Sequence, residues 1–347
     1  MVMKSKWEVG SGKWAALRAA GVIPHPSSLI PRVVAALCAV LAASTALAAD
    51  YPQRPVRMMI PQPAGGTMDT IARAVSNIVV ESVGYNVVID NRSGANGIIA
   101  GETLARAAPD GYTLLYTSAS LANNELVMKK PQFQVLKDFA PVTQVTLLPG
   151  YLILTNNQTP AKSLMELIEL SKRQPVHFGS SGQGNSQHLL GELINARTGS
   201  KMVHVPYKGF ALIVNAVMGN EIQVLFGAPT TTVQHIKAGR LRALAYTGAK
   251  RWSGMPDLPT MSEAGIKGMV YEASWHGIFA PAATPRPVLM KIRDEYRKAV
   301  HSPRLTQFFV ESGHVAIGST PEEFRKFVDA YLKATAEELR IAKVERQ

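Results

Sequence analysis

The sequence predicts an α/β protein made of two doubly wound, Rossmann-like lobes. Short apolar segments alternate with segments of helical periodicity along the chain after Tyr51, a pattern typical of βαβ units. The alternation starts again after Pro149-Gly150, which divides it into two similar halves. The 347 residues are also enough for two domains with separate hydrophobic cores once an N-terminal leader is set aside.

The first 48 residues have the organisation of a secretory signal peptide. Arg32 precedes a 16-residue apolar run, residues 33–48, which ends in the small-residue cleavage site Ala46-Leu47-Ala48. The alternative is a membrane anchor, but a span needs about 20 apolar residues and a flank on its far side. The stretch before Arg32 is longer than an ordinary n-region, so we expect the natural start to lie further along the chain. Cleavage and export predict a periplasmic location in a bacterium.

The cysteine and charge content excludes several classes of protein. Cys38 is the single cysteine and lies inside the predicted signal peptide, where the preceding Ala35-Ala36-Leu37 is not the setting of a lipoprotein acceptor. The mature chain would then have no thiol for disulfides, zinc sites or nucleophilic catalysis. The formal charge of +12 falls to +8 without the leader, which holds five basic residues and one acidic residue. Lys and Arg are dispersed and no nucleic-acid-binding motif occurs, so nucleic acid is not an expected partner.

Local pattern predicts each element of the first half. An apolar run predicts strand 56–60, and apolar residues at helical spacing after loop 61–66 predict a helix that ends at Gly84. The remaining predicted elements are strand 87–90, helix 98–107, a turn at 109–111 and strand 113–117.

The second half repeats this pattern and leads into a C-terminal segment. Ser163 and Glu166 have capping-box spacing ahead of a helix to about Lys172. The other predicted elements are strand 176–179, a helix from loop 180–186 to Gly199, strand 202–205, helix 210–218, strand 222–226, helix 231–238 and strand 241–246. Strand 274–280, helix 285–300 and a terminal helix that begins at Thr320 complete the chain.

Each half contains one turn in which a strand leads through a polar, glycine-containing loop into a helix. The two loops are residues 61–68 and 179–187, and neither contains Lys or Arg. A helix N-terminus presents unpaired N–H groups and a partial positive charge, so an anion there would be held by amides, hydroxyls and helix dipoles. One loop would give millimolar affinity at best, whereas two converging loops could reach the micromolar range. The alternative is that Gly65-Gly66 forms only a tight turn with Thr67 as N-cap, since neither loop matches a dinucleotide or Walker motif.

An ordered series of short motifs extends through nearly all of the mature chain. The motifs are Tyr51-Pro52, residues 54–57, Gly65-Gly66-Thr67, Asp69, Ala72-Arg73, Asn91-Arg92, Gly94-Ala95, residues 108–113, residues 138–142, Gly182, Gly184, His188-Leu189, residues 204–209, Ala264-Gly265, Ala280-Pro281 and residues 320–324. This series resembles the Bug (TctC-like) family, periplasmic solute-binding proteins associated with tripartite tricarboxylate transporters. The order of the motifs carries the resemblance, because each motif alone is common.

The resemblance implies a type II-like periplasmic binding protein fold with a ligand cleft between two lobes. Lobe 1 is expected to comprise residues 51–150 and 273–347, and lobe 2 residues 151–272. In the family, two loops hold the ligand carboxylate, partly through ordered water. The ligand-binding residues expected here are Gly65, Gly66, Thr67, Ser181, Gly182, Gly184, Asn185, Ser186 and Lys208.

The sequence departs from the family pattern at two places. Gln62-Pro63 replace an aromatic and a small residue, and Gly227 stands where an Asp is common. The identity of the carboxylate therefore does not follow from the resemblance.

These observations predict a monomeric periplasmic receptor without a cofactor or metal. It would capture a small organic carboxylate and deliver it to the inner-membrane subunits of a transporter. A ligand-dependent partner of a membrane sensor is the alternative function. A hydrolytic enzyme is disfavoured because Ser186 and His188 are too close on one helix to face each other and no GxSxG elbow or HExxH motif occurs.

Five further residues have a structural and a functional interpretation. Asp69 and Arg73 are four apart, so a helical ion pair is favoured over ligand contact. Lys208 would attract anions if it lies at the cleft mouth, but a lone Lys on a turn is usually solvated. For Trp275-His276 a core position is the default, and a contact at the rim or hinge is the alternative.

Overall fold

The computed structural model describes residues 51–83, 85–341 and 346. The predicted signal peptide, with Cys38 and the expected later start, lies outside these residues. Within them, no helix combines the length and apolar character required to cross a membrane.

Strands and helices alternate along most of the described chain. The strands are β1 (Val56–Ile60), β2 (Val87–Asn91), β3 (Thr113–Ser118), β4 (Phe139–Leu148), β5 (Leu152–Asn156), β6 (Val176–Ser180), β7 (Met202–Pro206), β8 (Val224–Gly227), β9 (Leu241–Tyr246), β10 (Ser274–Pro281) and β11 (Val315–Ala316). The α-helices are α1 (Thr67–Val83), α2 (Ile98–Ala105), α3 (Ser120–Val127), α4 (Val135–Asp138), α5 (Leu164–Arg173), α6 (Ser186–Thr198), α7 (Phe210–Met218), α8 (Pro229–Lys237), α9 (Arg286–Val300), α10 (Pro303–Glu311) and α11 (Pro321–Ile341). A 3₁₀ turn, Ala95–Gly97, precedes α2.

The strands form two mixed sheets. The first has the order β11-β4-β10-β3-β1-β2, and the second has the order β7-β6-β8-β5-β9. In the first, β1 pairs in parallel with β2 and β3, while β10 is antiparallel to β3 and β4. In the second, β6 pairs in parallel with β7 and β8, while β5 is antiparallel to β8 and β9. Each sheet therefore has a parallel, doubly wound part and an antiparallel part. The antiparallel strands lie next to the segments that connect the two sheets.

The chain passes between the sheets twice, and Thr247 connects the two passages. After β4 the chain enters the second sheet at Tyr151, and it returns through Tyr271 to β10. The Thr247 hydroxyl accepts from the Tyr151 amide at 2.8 Å and donates to the Tyr271 carbonyl at 2.8 Å. The Tyr271 amide in turn donates to the Thr247 carbonyl at 2.8 Å. Because Thr247 is fully buried, these bonds hold the two crossing segments side by side.

The terminal helix α11 covers the first sheet and reaches the second half. Trp275, almost fully buried on β10, packs edge-on against Phe324 and Tyr331 at centroid distances of 5.5 and 5.8 Å. Trp275 is therefore a core aromatic, as the default interpretation had it. Near the end of α11, Leu339 forms a small apolar cluster with Val127 of α3 and Leu189 of α6.

Most elements lie within a few residues of their predicted bounds. Strand β1, helix α7 and strand β9 have the predicted bounds, and α1 ends one residue before the predicted Gly84. The capping boxes at Ser163 and Thr320 are present, since each hydroxyl accepts from the amide three residues later. Strands β4, β5 and β11 and helices α3, α4 and α10 were not predicted.

Candidate functional site

A cavity of about 1060 Å³ lies between the loops of the two sheets. Its wall is formed mainly by loops that follow β1, β2 and β3 on one side and β6, β7 and β8 on the other. These are the carboxyl ends of parallel strands, where open α/β sheets bind ligands. Among the described residues that line the cavity, Lys208 is the only Lys or Arg and there is no Asp or Glu. The cavity is therefore suited to an anion and holds little fixed charge.

Asp69 fixes the first loop at the start of α1. Its buried carboxylate accepts from the Gly65 amide at 2.9 Å and from the Asn91 side-chain amide at 2.9 Å. Arg73 Nε donates to both carboxylate oxygens at 3.0 and 2.9 Å, which is the helical ion pair predicted from the spacing. Burial opposes ionisation of Asp69, but the hydrogen bonds from Arg73, Gly65 and Asn91 prevail and lower its pKa. The aspartate is thus a structural anchor for the loop.

The next amides of the first loop remain available to a ligand. Gly65 adopts a φ of +83°, which favours glycine and turns the chain into α1. Among the described residues, no acceptor bonds the amides of Gly66, Thr67 or Met68. All three residues line the cavity. The α1 N-terminus therefore presents unpaired N–H groups to this space.

Gln187 organises the second loop, and sequence reasoning missed it. Its buried Oε1 accepts from the Ser181 amide at 2.9 Å and from the Ser181 hydroxyl at 3.1 Å. Its Nε2 donates to the Phe226 carbonyl at the end of β8, at 2.7 Å. One side chain thus ties the loop after β6 to the neighbouring strand. The only signal for it in the sequence is a polar residue in the first turn of α6, which is too common to identify such a role.

Most amides of the second loop already have partners inside the loop. The Gly182 amide donates to the Ser180 hydroxyl at 3.2 Å, and the Asn185 amide donates to the Gly182 carbonyl at 3.4 Å. In contrast, no acceptor in the described part of the chain bonds the amides of Ser186 and Gln187, the first two residues of α6. An anion at this loop would therefore be bound mainly by the amides at the start of α6.

Gly184 lies behind the cavity wall. It is not among the lining residues, and its amide donates to His188 Nδ1 at 3.1 Å. A Cβ atom built on Gly184 would lie 2.8 Å from Cγ2 of Val127 on α3. This glycine therefore permits close contact between the second loop and a helix of the first half.

The structure brings eight of the nine expected ligand-binding residues to this one cavity. They are Gly65, Gly66, Thr67, Ser181, Gly182, Asn185, Ser186 and Lys208. Lys208 is exposed and follows β7. The ninth residue, Gly184, has the position described above.

The two halves also touch at two places beside the cavity. Asn96 Nδ2 donates to the Gln183 carbonyl of the second loop at 3.4 Å and to Asn124 Oδ1 at 3.2 Å. At the other place, the Thr230 hydroxyl on α8 donates to the Ser312 carbonyl at 2.7 Å. Loops of both halves thus enclose the space between the helix starts.

A serine–histidine pair occurs beneath the second loop, but its geometry is unsuitable for nucleophilic catalysis. Ser180 Oγ lies 2.6 Å from His204 Nε2 and also donates to the Gly182 carbonyl at 2.9 Å. The Gly182 carbonyl therefore competes with His204 for the single hydroxyl proton that a general base would have to accept. Ser180 is fully buried and does not line the cavity.

His204 stacks on His188 at a centroid distance of 4.0 Å. Burial lowers the pKa of each imidazole to about 4, and for His204 the proximity of His188 adds to the effect. Both rings are therefore neutral at pH 7, and His188 accepts from the Gly184 amide rather than from Ser186. The stacked pair supports the second loop from below.

Comparison with known proteins identifies the family to which this chain is related. A sequence model described as "Tripartite tricarboxylate transporter family receptor" matches residues 71–340. The chain belongs to this family. It is similar to the protein BugT of Bordetella pertussis, with 34% identity over 282 residues that cover 80% of this chain and 86% of BugT.

Solved structures show the same fold. "R. palustris Rpa4515 with adipate" has a TM-score of 0.80 and 30% identity, covering 85% of this chain and 99% of that one. The periplasmic binding protein BugD has a TM-score of 0.80 and 32% identity, covering 86% of this chain and 100% of that one. The predicted family and the two-lobed α/β fold are therefore confirmed. The chain is a solute-binding receptor of the tripartite tricarboxylate transporter type.

Proposed function

We propose that this receptor captures a small organic carboxylate between its lobes and delivers it to the inner-membrane subunits of a tripartite tricarboxylate-type transporter. One observation carries the proposal: the N-termini of α1 and α6, from opposite lobes, line the same cavity without an acidic residue among the described lining. The solved structure of the similar protein Rpa4515 with adipate, a dicarboxylate, supports an organic carboxylate as the class of ligand.

The ligand carboxylate would be held by unpaired amides rather than by an ion pair. The amides of Gly66 and Thr67 approach from one side, and those of Ser186 and Gln187 approach from the other. Hydrogen bonds to a charged group contribute about 1.5–3 kcal/mol each, and each helix dipole adds about 0.3–1 kcal/mol. Lys208, exposed at the cavity, attracts anions from a distance but is screened by solvent.

The packing around Gly227 is incompatible with an acidic side chain at this position. Gly227 stands where the family often has an Asp, and a Cβ atom there would lie 2.3 Å from Cγ2 of buried Thr232. A carboxylate at position 227 would therefore require movement of α8.

We assign lobe 1 to residues 51–150 and 273–347 and lobe 2 to residues 151–272. Sheet membership supports this division, since the first sheet draws its strands from the former ranges and the second from the latter. The receptor would be a monomer in the periplasm after cleavage at Ala48. Binding would favour the closed arrangement because the ligand contacts both lobes only when they are together. We propose no catalytic role, since Ser180 is fully buried and does not line the cavity.

A thermal-shift screen of the mature chain, residues 49–347, tests this function. Small organic acids are compared with their uncharged primary amides at equal concentration and ionic strength. We expect at least one acid to raise the melting temperature while its amide does not. Equal stabilisation by acids and amides, or by none of the acids, would exclude a carboxylate receptor.

A further inference from the structure

His276 occupies the cavity wall on the first sheet, away from the two loops. On β10 it lies in register with Ser118 of β3 on one side and Thr146 of β4 on the other. The side chain lines the cavity although the residue is only 6% exposed. Its neighbour Trp275 enters the core on the opposite face, as strand alternation requires. Of the two interpretations of Trp275-His276, the core position therefore applies to Trp275, whereas His276 faces the cavity.

The surroundings of the ring leave one nitrogen for a ligand. Nδ1 lies 3.5 Å from Thr146 Oγ1, the outer limit of a hydrogen bond. The rings of Tyr116 and His314 lie beside the imidazole at centroid distances of 5.6 and 5.7 Å. Among the described residues, none forms a hydrogen bond with His276 Nε2. A polar atom of a cavity-lining residue that has no protein partner indicates a ligand-facing hydrogen-bonding position.

This position suits an uncharged partner. Burial, together with nearby His314, lowers the pKa of His276 to about 3, so the ring is neutral at pH 7. A neutral imidazole offers a single hydrogen bond at Nε2, whereas a carboxylate has about four acceptor sites to satisfy. Lys208, the single Lys or Arg among the described lining residues, follows β7 of the second sheet and not the strands around His276.

The sheet order separates His276 from the first loop. β10 lies two strands away from β1, which corresponds to about 10 Å. A ligand with its carboxylate at the α1 N-terminus would therefore reach His276 with its far end and not with the same carboxylate.

We propose that His276 determines specificity for the second end of the ligand and that this end carries an uncharged oxygen group, a hydroxyl or a carbonyl. This inference rests on the proposed carboxylate-binding function. It narrows the substrate class to carboxylates with a remote uncharged oxygen, as opposed to compounds with a second carboxylate.

The test uses a ladder of straight-chain acids of four to eight carbons, each with a methyl, a hydroxyl or a second carboxylate at the far end. Affinities are measured calorimetrically at pH 7.5 for the wild type, His276→Leu, His276→Gln and the control His177→Leu. His177 is a partly buried strand residue outside the cavity. The Leu side chain removes the hydrogen bond, while Gln places an amide near the position of Nε2.

For the best-fitting length, we expect the wild type to prefer the hydroxyl end over the methyl end by about three- to tenfold. The diacid should bind no more tightly than the hydroxy acid. His276→Leu should remove the preference while retaining affinity for the methyl-ended acid, and His276→Gln should keep part of the preference. His177→Leu should behave as the wild type does.

Three results would overturn the inference while leaving carboxylate binding intact. They are a diacid that binds most tightly, a wild type without preference for the hydroxyl end, and an unchanged preference in His276→Leu. If no acid of the ladder binds the wild type, the proposed function fails and the inference fails with it. Should His276→Leu not fold by circular dichroism, the wild-type ladder and His276→Gln still decide the question.

Discussion

Replacement of Gln187 by Glu should make ligand affinity dependent on pH. Gln187 accepts from Ser181 with one side-chain atom and donates to the Phe226 carbonyl with the other. A protonated Glu reproduces this pattern, because its carbonyl oxygen accepts and its hydroxyl donates. An ionised Glu has no proton for Phe226 and adds a negative charge next to the amides that we assign to the ligand.

The expected loss of ligand affinity in Gln187→Glu follows from the burial of residue 187. Burial and the facing carbonyl both disfavour the ionised form, so the pKa of the new carboxyl should lie above its ordinary value. Below that pKa the neutral variant should bind nearly as the wild type does. Above it, two negative charges about 6 Å apart at an effective dielectric constant of about 20 repel each other by about 3 kcal/mol. This repulsion weakens binding by about a hundredfold.

Calorimetric titration at about pH 5.5 and pH 8 with an acid identified by the thermal-shift screen measures this effect. The matched control is Gln183→Glu, which adds the same charge at an exposed position of the same loop. The control should lose only a fewfold in affinity, with little change between the two pH values. Wild-type affinity of Gln187→Glu at both pH values, or losses equal to those of the control, would refute the role of Gln187.

Three further predictions follow from the same geometry. Gly66→Val should abolish ligand-induced stabilisation with little change in the unliganded melting temperature, because a Cβ there meets Gln62 Oε1 only at 3.4 Å; an unchanged shift on ligand addition would contradict this. Lys208→Gln should slow ligand association severalfold at low salt but not at high salt, as stopped-flow measurements would show, and a salt-independent effect would argue against steering. The free energy of unfolding should fall as pH decreases from about 6.5 towards 4, by about 2 kcal/mol for each of His188 and His204. The reason is that these imidazoles bind protons in the unfolded chain over this pH range but stay neutral in the folded protein. Denaturation curves at several pH values test this, and a flat profile would show that these rings are not held neutral.

The sequence predicted the parallel parts of the fold well because their signals are local. A strand, a glycine-containing loop and an amphipathic helix follow one another within about 25 residues, so the pattern indicates each βα unit directly. Strands β4 and β5 lack this support, since each pairs with antiparallel strands and no helix separates them. The insertion of β10 between β3 and β4 joins segments more than a hundred residues apart, as the Thr146–His276 pair shows with a separation of 130. Spacing along the chain does not encode such a pairing.

The residues of the candidate site were predictable from local sequence, whereas the contacts that organise them were not. Glycines and small polar residues marked both loops, and eight of the nine residues named from them line one cavity. The sequence did not show which backbone amides lack a hydrogen-bond partner, because this depends on contacts between residues that are distant in the chain. Gln187 reaches Phe226, 39 residues away, and Ser180 reaches His204, 24 residues away. These contacts organise the second loop, and within the described chain the amides of Ser186 and Gln187 at the α6 helix start remain unpaired at the cavity.

The most direct test of the account is amide NMR on the deuterated mature chain, titrated with an acid that gives a thermal shift. A hydrogen bond to a carboxylate moves an amide proton downfield, so the technique reports which N–H groups bind the ligand. We predict downfield shifts for Gly66 and Thr67 in one lobe and for Ser186 and Gln187 in the other, in proportion to occupancy. Saturation of binding without shifts at these amides, or with shifts in one loop only, would contradict the claim that two helix starts jointly hold the carboxylate.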